Sequence, residues 1–586
     1  MNRLSRRRLL AGSAALLLGA CRRAAGNTSR EVVQGTQPAL PTPSSFRPTV
    51  PARTTPTPSP TPTPRAAPNA TPAPPEAQFL LRGNFFADPL SHDFNANIDC
   101  GGDATLWAGL LAVDQQYNLV ADWAASWESN ADASQWTFHL RPNNGWSNGK
   151  PVTAADFVWS WRRVVDPATH APQAWVLFDI ANAAEINRGG LPPEKLGVAA
   201  PDDLTLHVTL TGPRVYFPAI AASLAAVPAY RPAVEQHGET WTEAANIVSN
   251  GPFRLQTWEH GKQLSTVRSR SYWNASAIPL ARTVAPILSP AQHLAPYRTN
   301  RVDFLPVQAA DLAELRGDDT LVAEVHPAVL PATWLLLPSD VPPLDDPLAR
   351  QALGHALDRK RLVEVTEGQV IRAGSLLPPG FPGSSDDPSL EALQAFDVDA
   401  ALAARAKTPF AAGDWPPMRL AVEQGDTLAE ALGQDIAAQL HENLGMALEV
   451  VPLDAGKLAG ATLPDVHLRL LRWSFSYPDP NNGYADAFFL PGSDSTRLAP
   501  ESEGVRALVT QARGERDQAA RAALYLECER RLQQAFAYLP LAHPVQYILA
   551  HAWVQRFPAR GGFLVPPSRL FTRLVTLLSI AGRPPG

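Results

Sequence analysis

From Gln135 to Pro167 the chain reads QWTFHLRPNNGWSNGKPVTAADFVWSWRRVVDP. Trp136, Phe138 and Leu140 alternate with polar residues, the period of a strand with one buried face. Asn143, Asn144 and Gly145, then Ser147, Asn148 and Gly149, tolerate positive φ, which predicts two turns around Trp146. Thr153 reads as a helix N-cap, with Asp156 three residues on to serve the free N–H groups and positive dipole of the first turn. Phe157, Val158, Trp161 and Val165 follow at helical spacing. The helix must end near Asp166, because Pro167 disfavours helical geometry in the residue before it. Strand, turn and amphipathic helix account for each residue singly but not for their order.

That order resembles the signature run of the family 5 extracellular solute-binding proteins, the oligopeptide- and dipeptide-binding receptors of ABC importers. Ala87-Asp88-Pro89 stands where the family has its first turn, after a strand beginning at Phe79. Leu106 to Leu111 resembles a helix end, and Val120 to Glu128 a strand. Asn250-Gly251-Pro252-Phe253, Trp258 and Tyr272-Trp273 form a second landmark, and Tyr297 to Asp303 a further block. Pro342 to Arg359 is a third landmark, with Asp346 as an N-cap and Ala349, Ala352, Leu353 and Ala356 as a helical face.

Periodicity fills the gaps between these blocks. Asp203 to Leu210 alternates as a half-buried strand, and Asp397 to Lys407 reads as a short helix capped by Asp397 or Asp399. An amphipathic helix from Leu428 to Leu444 precedes a strand at Met446 to Val450. Arg516 to Arg521 opens a long penultimate helix, and Tyr538 to Leu541 resembles a return strand.

The resemblance implies an α/β, periplasmic-binding-protein-like fold: two ligand-enclosing lobes with mixed sheets, an extra inserted lobe, and a hinge between them. Lobe I is expected from residues 77–115, 241–330 and 546–586, inserted lobe II from 116–240, and lobe III from 331–545.

Residues 1–21 carry Arg3, Arg6, Arg7 and Arg8 before an apolar run too short to span a bilayer, the form of a secretory signal. Leu18-Gly19-Ala20-Cys21 resembles a lipobox, which makes Cys21 the lipidated N-terminus; the arginines fit twin-arginine and general export alike. Residues 22–76 are proline- and threonine-rich, cannot bury enough apolar surface to fold, and read as a stalk on the order of 150 Å long at roughly 3 Å per residue. Roughly 510 residues remain, too many for one core. A net charge of −6 argues against a nucleic-acid partner. Cys100 and Cys528 show no metal spacing, and their pairing stays open.

The family segment most tied to ligand corresponds here to Trp473-Ser474-Phe475-Ser476-Tyr477-Pro478-Asp479-Pro480-Asn481. Peptide-binding members place an acid where this chain has Ser476, pairing it with the peptide's ammonium, and a hydroxyl cannot neutralise that charge. Three readings stay open: Asp479 takes over, the ligand lacks a free amine, or the site has lost its ligand. A non-standard or modified solute is preferred over an ordinary peptide. The resemblance thus implies a ligand set of Trp473, Ser476, Tyr477, Asp479 and Asn481. Arg469 and Arg472 join it as anion contacts, although Arg469 also reads as an outward strand residue between Leu468 and Leu470.

No H-E-x-x-H, G-x-S-x-G or paired C-x-x-C occurs, so the expectation is a binding protein and not an enzyme, with no cofactor and no metal. Its implied partners are a peptide or peptide-like solute, ABC permease and ATPase subunits, and the membrane through lipid on Cys21. The body is expected to be monomeric and extracytoplasmic. A surface sensor using the same fold is the alternative, and a hydrolase a more distant one.

Overall fold

The computed structural model describes residues 73–142, 145–289, 292, 294–338, 342–411, 415–458, 463, 465–489, 502–557 and 574–583. The expected signal, the lipidation expected at Cys21 and nearly all of the expected stalk lie outside the described residues. The body is already engaged at Ala73, whose N–H donates to the Ile580 carbonyl at 3.0 Å.

The strand Gln135–Leu140 buries Trp136, Phe138 and Leu140, and a helix runs over Ala154–Val165. At its start the Asp156 carboxylate accepts from the Thr153 backbone N–H at 2.8 Å and from its hydroxyl at 3.1 Å, closing the predicted capping box. The same carboxylate accepts the Trp146 indole N–H at 3.3 Å, which ties the fully buried tryptophan to the helix start. This strand and helix belong to a four-stranded antiparallel unit: Ala124–Ser129, Gln135–Leu140, Thr205–Thr209 and Val198–Asp202, in that order.

The unit is inserted within another sheet. Phe79–Leu81 precedes it in sequence and pairs in parallel with Arg282–Pro286, which continues to Gln263–Arg268 and Phe253–Glu259 beyond the insertion. One large hydrophobic cluster, including Leu80, Trp107, Phe138, Trp161 and Phe253, joins the two sheets.

An eight-stranded mixed sheet is ordered Phe304–Pro306, Leu539–Ala550, Ala332–Pro338, Leu468–Ser474, Met418–Glu423 and Leu448–Leu453, with Val325–Val329 and Val370–Arg372 also on the long strand. A second core lies beneath it, with Trp334, Leu353, Leu420, Ile436 and Leu468. The long strand is where two bodies meet. Residues Val545–Ala550 pair with Val325–Val329 and Phe304–Pro306, whereas Leu539–Pro544 pair with Ala332–Pro338 and Val370–Arg372. Three residues of one strand, Val545 to Tyr547, separate the pairing of Phe304–Pro306 from that of Val370–Arg372.

Other local expectations meet the structure with small shifts. Asp346 caps the helix Pro347–His355, Asp397 caps Val398–Arg405, and Asp517 caps Gln518–Gln534. The helix Thr427–Leu444 ends at Gly445, whose φ of 65° supplies the left-handed cap. Leu106 to Leu111 is different: a single 3-10 turn at Ala104–Leu106 gives way to a strand at Leu111–Val113, because Asp103 caps only that turn. Among the described residues no helix is long and apolar enough to cross a membrane.

Candidate ligand cleft

Leu468–Ser474 pairs along its whole length with Ala332–Pro338, but with Met418–Glu423 only at Leu468 and Arg469. Its first three residues are therefore buried, while Arg472 and Ser474 emerge. Arg469 corrects the outward reading: it is 8% exposed, with Leu337 and Ala421 as strand neighbours, and Ala421, Leu458 and Val466 form a small core on this side of the sheet.

Beyond the strand, three aromatic contacts bring the inserted unit against the next loop. Trp473 meets Trp175 with ring centroids 6.1 Å apart, and Tyr477 lies parallel to Tyr216 at 6.0 Å. Phe475 packs on Phe381 at 4.5 Å, which in turn meets Tyr117 at 5.2 Å. Offset aromatic pairs of this kind add about 0.5–1.5 kcal/mol each beyond the area they bury.

Under this wall lies a buried polar layer. The Ser476 N–H donates to Asn482 Oδ1 at 3.0 Å, and Asn482 Nδ2 donates to Asp486 at 3.1 Å. Asp486 also accepts the Tyr477 hydroxyl at 2.5 Å, and that hydroxyl accepts from Asn481 Nδ2 at 2.8 Å. Arg513 Nε donates to Asn481 Oδ1 at 3.0 Å. Asp479 is gripped by both terminal nitrogens of Arg521, at 2.6 and 2.8 Å. The sequence-predicted residues thus separate into two groups. Trp473 and Ser476 are half-buried and Arg472 is exposed, whereas Tyr477, Asp479 and Asn481 are buried and committed to protein partners.

Burial pushes the Asp486 carboxyl up to about 7; the Tyr477 hydroxyl and the Arg513 charge oppose that rise, and Asp179 adds to it. The ordinary carboxyl value is 3.8, so between about pH 4 and 7 the folded protein holds a proton that the unfolded chain has lost. This contribution to stability is complete at low pH and disappears as pH rises through 7. Asp486→Asn keeps the shape without the charge. Its stability relative to the parent should improve by up to about 1.4 kcal/mol per pH unit across that window. Urea denaturation at pH 5 and pH 8 checks this: an equal difference at both would reject it.

The edge of the candidate cleft holds residues that local sequence could not reveal. Gln173 Nε2 donates to Asp99 Oδ2 at 2.8 Å, and Gln173 caps the short helical turn carrying Trp175. Arg472 lies 3.9 Å from Asp426, 5.7 Å over the Trp334 ring, and close enough to lower the Asp99 carboxyl against a larger upward push from burial. Cys100 and Cys528 are free buried thiols, pushed up to about 11 and 12 by burial. Trp175, Tyr216 and Asp99 carry no spacing signal toward Trp473. Only the tertiary fold joins them.

Residues 118–494 match the bacterial extracellular solute-binding proteins, family 5 Middle. The chain is 30% identical over 485 residues to the periplasmic oligopeptide-binding protein OppA of Escherichia coli K12, covering 80% of this chain and 86% of that protein. The solved structure of Burkholderia pseudomallei OppA superposes with a TM-score of 0.67 at 25% identity, over 86% of this chain and 99% of that one. The Escherichia coli murein tripeptide-binding protein MppA gives a TM-score of 0.69 at 22% identity, over 87% and 99%. With the signature run, an inserted antiparallel unit and two bodies sharing one long strand, the chain belongs to the family 5 bacterial extracellular solute-binding proteins, which are binding proteins and not enzymes.

Proposed function

We propose that the chain is the extracytoplasmic receptor of an ABC importer, capturing a peptide or peptide-like solute and delivering it to a membrane permease and its ATPase. The observation that carries this reading is the aromatic wall at Trp473 and Trp175, in the same sheet as the long strand Leu539–Ala550, which pairs at one end with Phe304–Pro306 and at the other with Val370–Arg372. The similarity to OppA supports a peptide as the solute. The lobes are assigned as residues 77–115, 241–330 and 546–586 for the first, 116–240 for the inserted one and 331–545 for the third. Trp473, Ser476 and Arg472 line the ligand cleft, and Tyr477, Asp479 and Asn481 hold that wall in place. Cys21 carries the lipid, and residues 22–76 form the tether to the membrane.

Capture involves no covalent step. Solute binds between open lobes, closure removes water from the cleft, and the closed form presents both lobes to the permease. A solute can favour that form only to the extent that it binds it more tightly than the open one.

Native mass spectrometry of the whole protein purified from its own host, without denaturation, tests the assignment. We expect a heterogeneous set of bound peptide masses, and an intact mass that begins at an acylated Cys21. One defined non-peptide mass would reject peptide capture and identify the solute, and an unmodified N-terminus at Cys21 would reject the anchor.

A further inference from the structure

The inserted unit and the loop beyond Leu468–Ser474 meet through two matching sets of side chains. On the inserted side, Asp179 accepts from Arg214 Nε at 2.5 Å and from the Tyr216 hydroxyl at 2.7 Å. On the other side, Asp486 accepts from the Tyr477 hydroxyl at 2.5 Å, and Arg513 acts on it electrostatically. The two tyrosine rings lie face to face, 6.0 Å apart and 4° from parallel, so one stack links the two aspartates. Contacts around the stack close the junction. The Val215 N–H donates to the Arg513 carbonyl at 2.9 Å, and Pro213 packs where Gly514 has no side chain. Arg516 donates to the Ala131 carbonyl at 3.0 Å and to the Ser129 hydroxyl at 2.9 Å.

The two acids are not equivalent. Asp179 has the Arg214 guanidinium in direct contact. Asp486 is 7% exposed and, among the described residues, has no cation at ion-pair distance. Its hydrogen bonds from Tyr477 and Asn482 both fall on Oδ2, which leaves Oδ1 to carry a proton. Burial and the Asp179 carboxylate across the stack both disfavour the Asp486 anion. The groups facing it are Tyr477 from its own loop, Arg513 from the helix Ser502–Gly514, and Asp179 and Tyr216 from the inserted unit. Arg214 stands behind Asp179, and Arg521 with its partner Asp479 lies beside Tyr216.

We propose that this junction is a proton-operated clasp: Asp486 carrying a proton holds the inserted unit against residues 475–486, and the ionised form lets the two part. Parting exposes the carboxyl to water, where it returns from about 7 toward its ordinary value of 3.8. The clasped form therefore binds the proton more tightly, and acid favours it. Its ratio to the parted form should fall about tenfold per pH unit between about pH 4 and 7, then level off. Trp175 and Trp473 ride on the same two sides of the junction, so acid assembles the aromatic wall and pH above 7 loosens it. This holds whatever solute the cleft takes.

Hydrogen exchange on the whole protein tests the clasp, with rates corrected for the intrinsic pH dependence of amide exchange. The Val215 N–H reports the junction, and the amides of Met418–Glu423, in the second core, report the rest of the fold. In the parent, protection at Val215 should fall at least roughly tenfold between pH 5 and pH 8 while Met418–Glu423 holds steady. In Asp486→Asn that fall should vanish. Tyr477→Phe keeps the ring stack but removes a donor that favours the anion, so there the fall should move to higher pH. Equal Val215 protection at both pH values in the parent overturns the clasp. So does a fall that survives Asp486→Asn, one that Met418–Glu423 shares equally, or one that Tyr477→Phe leaves in place or moves to lower pH.

Discussion

Asp103→Ala should destabilise the protein by about 3–5 kcal/mol, the cost of breaking a buried ion pair from one side. Arg82 Nη2 lies 2.8 Å from Asp103 Oδ2, and both side chains are 1% exposed. Burial works against the Asp103 charge, but Arg82 and the Thr105 hydrogen bonds outweigh it and hold the carboxyl below its ordinary value. The substitution takes away the counter-charge of a guanidinium that remains fully buried. It also removes the acceptor for the Thr105 N–H at 3.0 Å and hydroxyl at 2.8 Å, which caps the turn at Ala104–Leu106. Urea denaturation followed by tryptophan fluorescence measures the loss. The double variant Arg82→Met with Asp103→Leu separates the ion pair's worth from the cost of orphaning one member, and should recover at least half of the loss. A single-variant cost below about 1 kcal/mol would mean that water or rearrangement satisfies Arg82 in place of Asp103.

What the sequence made legible follows the range of the interactions involved. The capping box of Thr153 and Asp156 joins residues three apart, and the strand and helix around it were readable because their partners lie within one turn or one pleat. The caps at Asp346 and Asp397 were readable for the same reason. Arg469 was misread because alternation identifies the two faces of a strand but not what covers them. Here the second face is closed by Ala421 and Leu458, from other segments, and by Val466 just ahead of the strand. The site divides similarly. The loop from Trp473 to Asn481 could be located from its resemblance, but Asp479 looked available because its partner Arg521 is 42 residues away in sequence. Asp99 and Trp175 lie hundreds of positions from Trp473, and no local period points from one to the other.

Arg521→Met should likewise cost about 3–5 kcal/mol, and the reason bears on ligand choice. Asp479 is 7% exposed and receives both terminal nitrogens of Arg521, a bidentate geometry that lysine cannot reproduce. The same guanidinium donates through Nε to the Ala512 carbonyl at 3.0 Å, and lies 5.0 Å from the Tyr525 ring centre and 5.6 Å from that of Tyr216. Removing it leaves a buried carboxylate beside Tyr216 and Tyr477, the stacked pair below Trp473. Arg521→Lys should keep part of the charge interaction and cost less than Arg521→Met. The double variant with Asp479→Leu should restore most of the loss, because no unpaired charge remains. Denaturant midpoints order the three variants. Peptide binding then tests whether Asp479 could serve as the amine acid. If Asp479 could accept a ligand's ammonium, Arg521→Met would release it and increase the preference for free over acetylated peptides. The expected result is that the preference stays at the parent's value while stability falls, because Asp479 is committed to Arg521 and serves the wall behind the cleft and not its ligand.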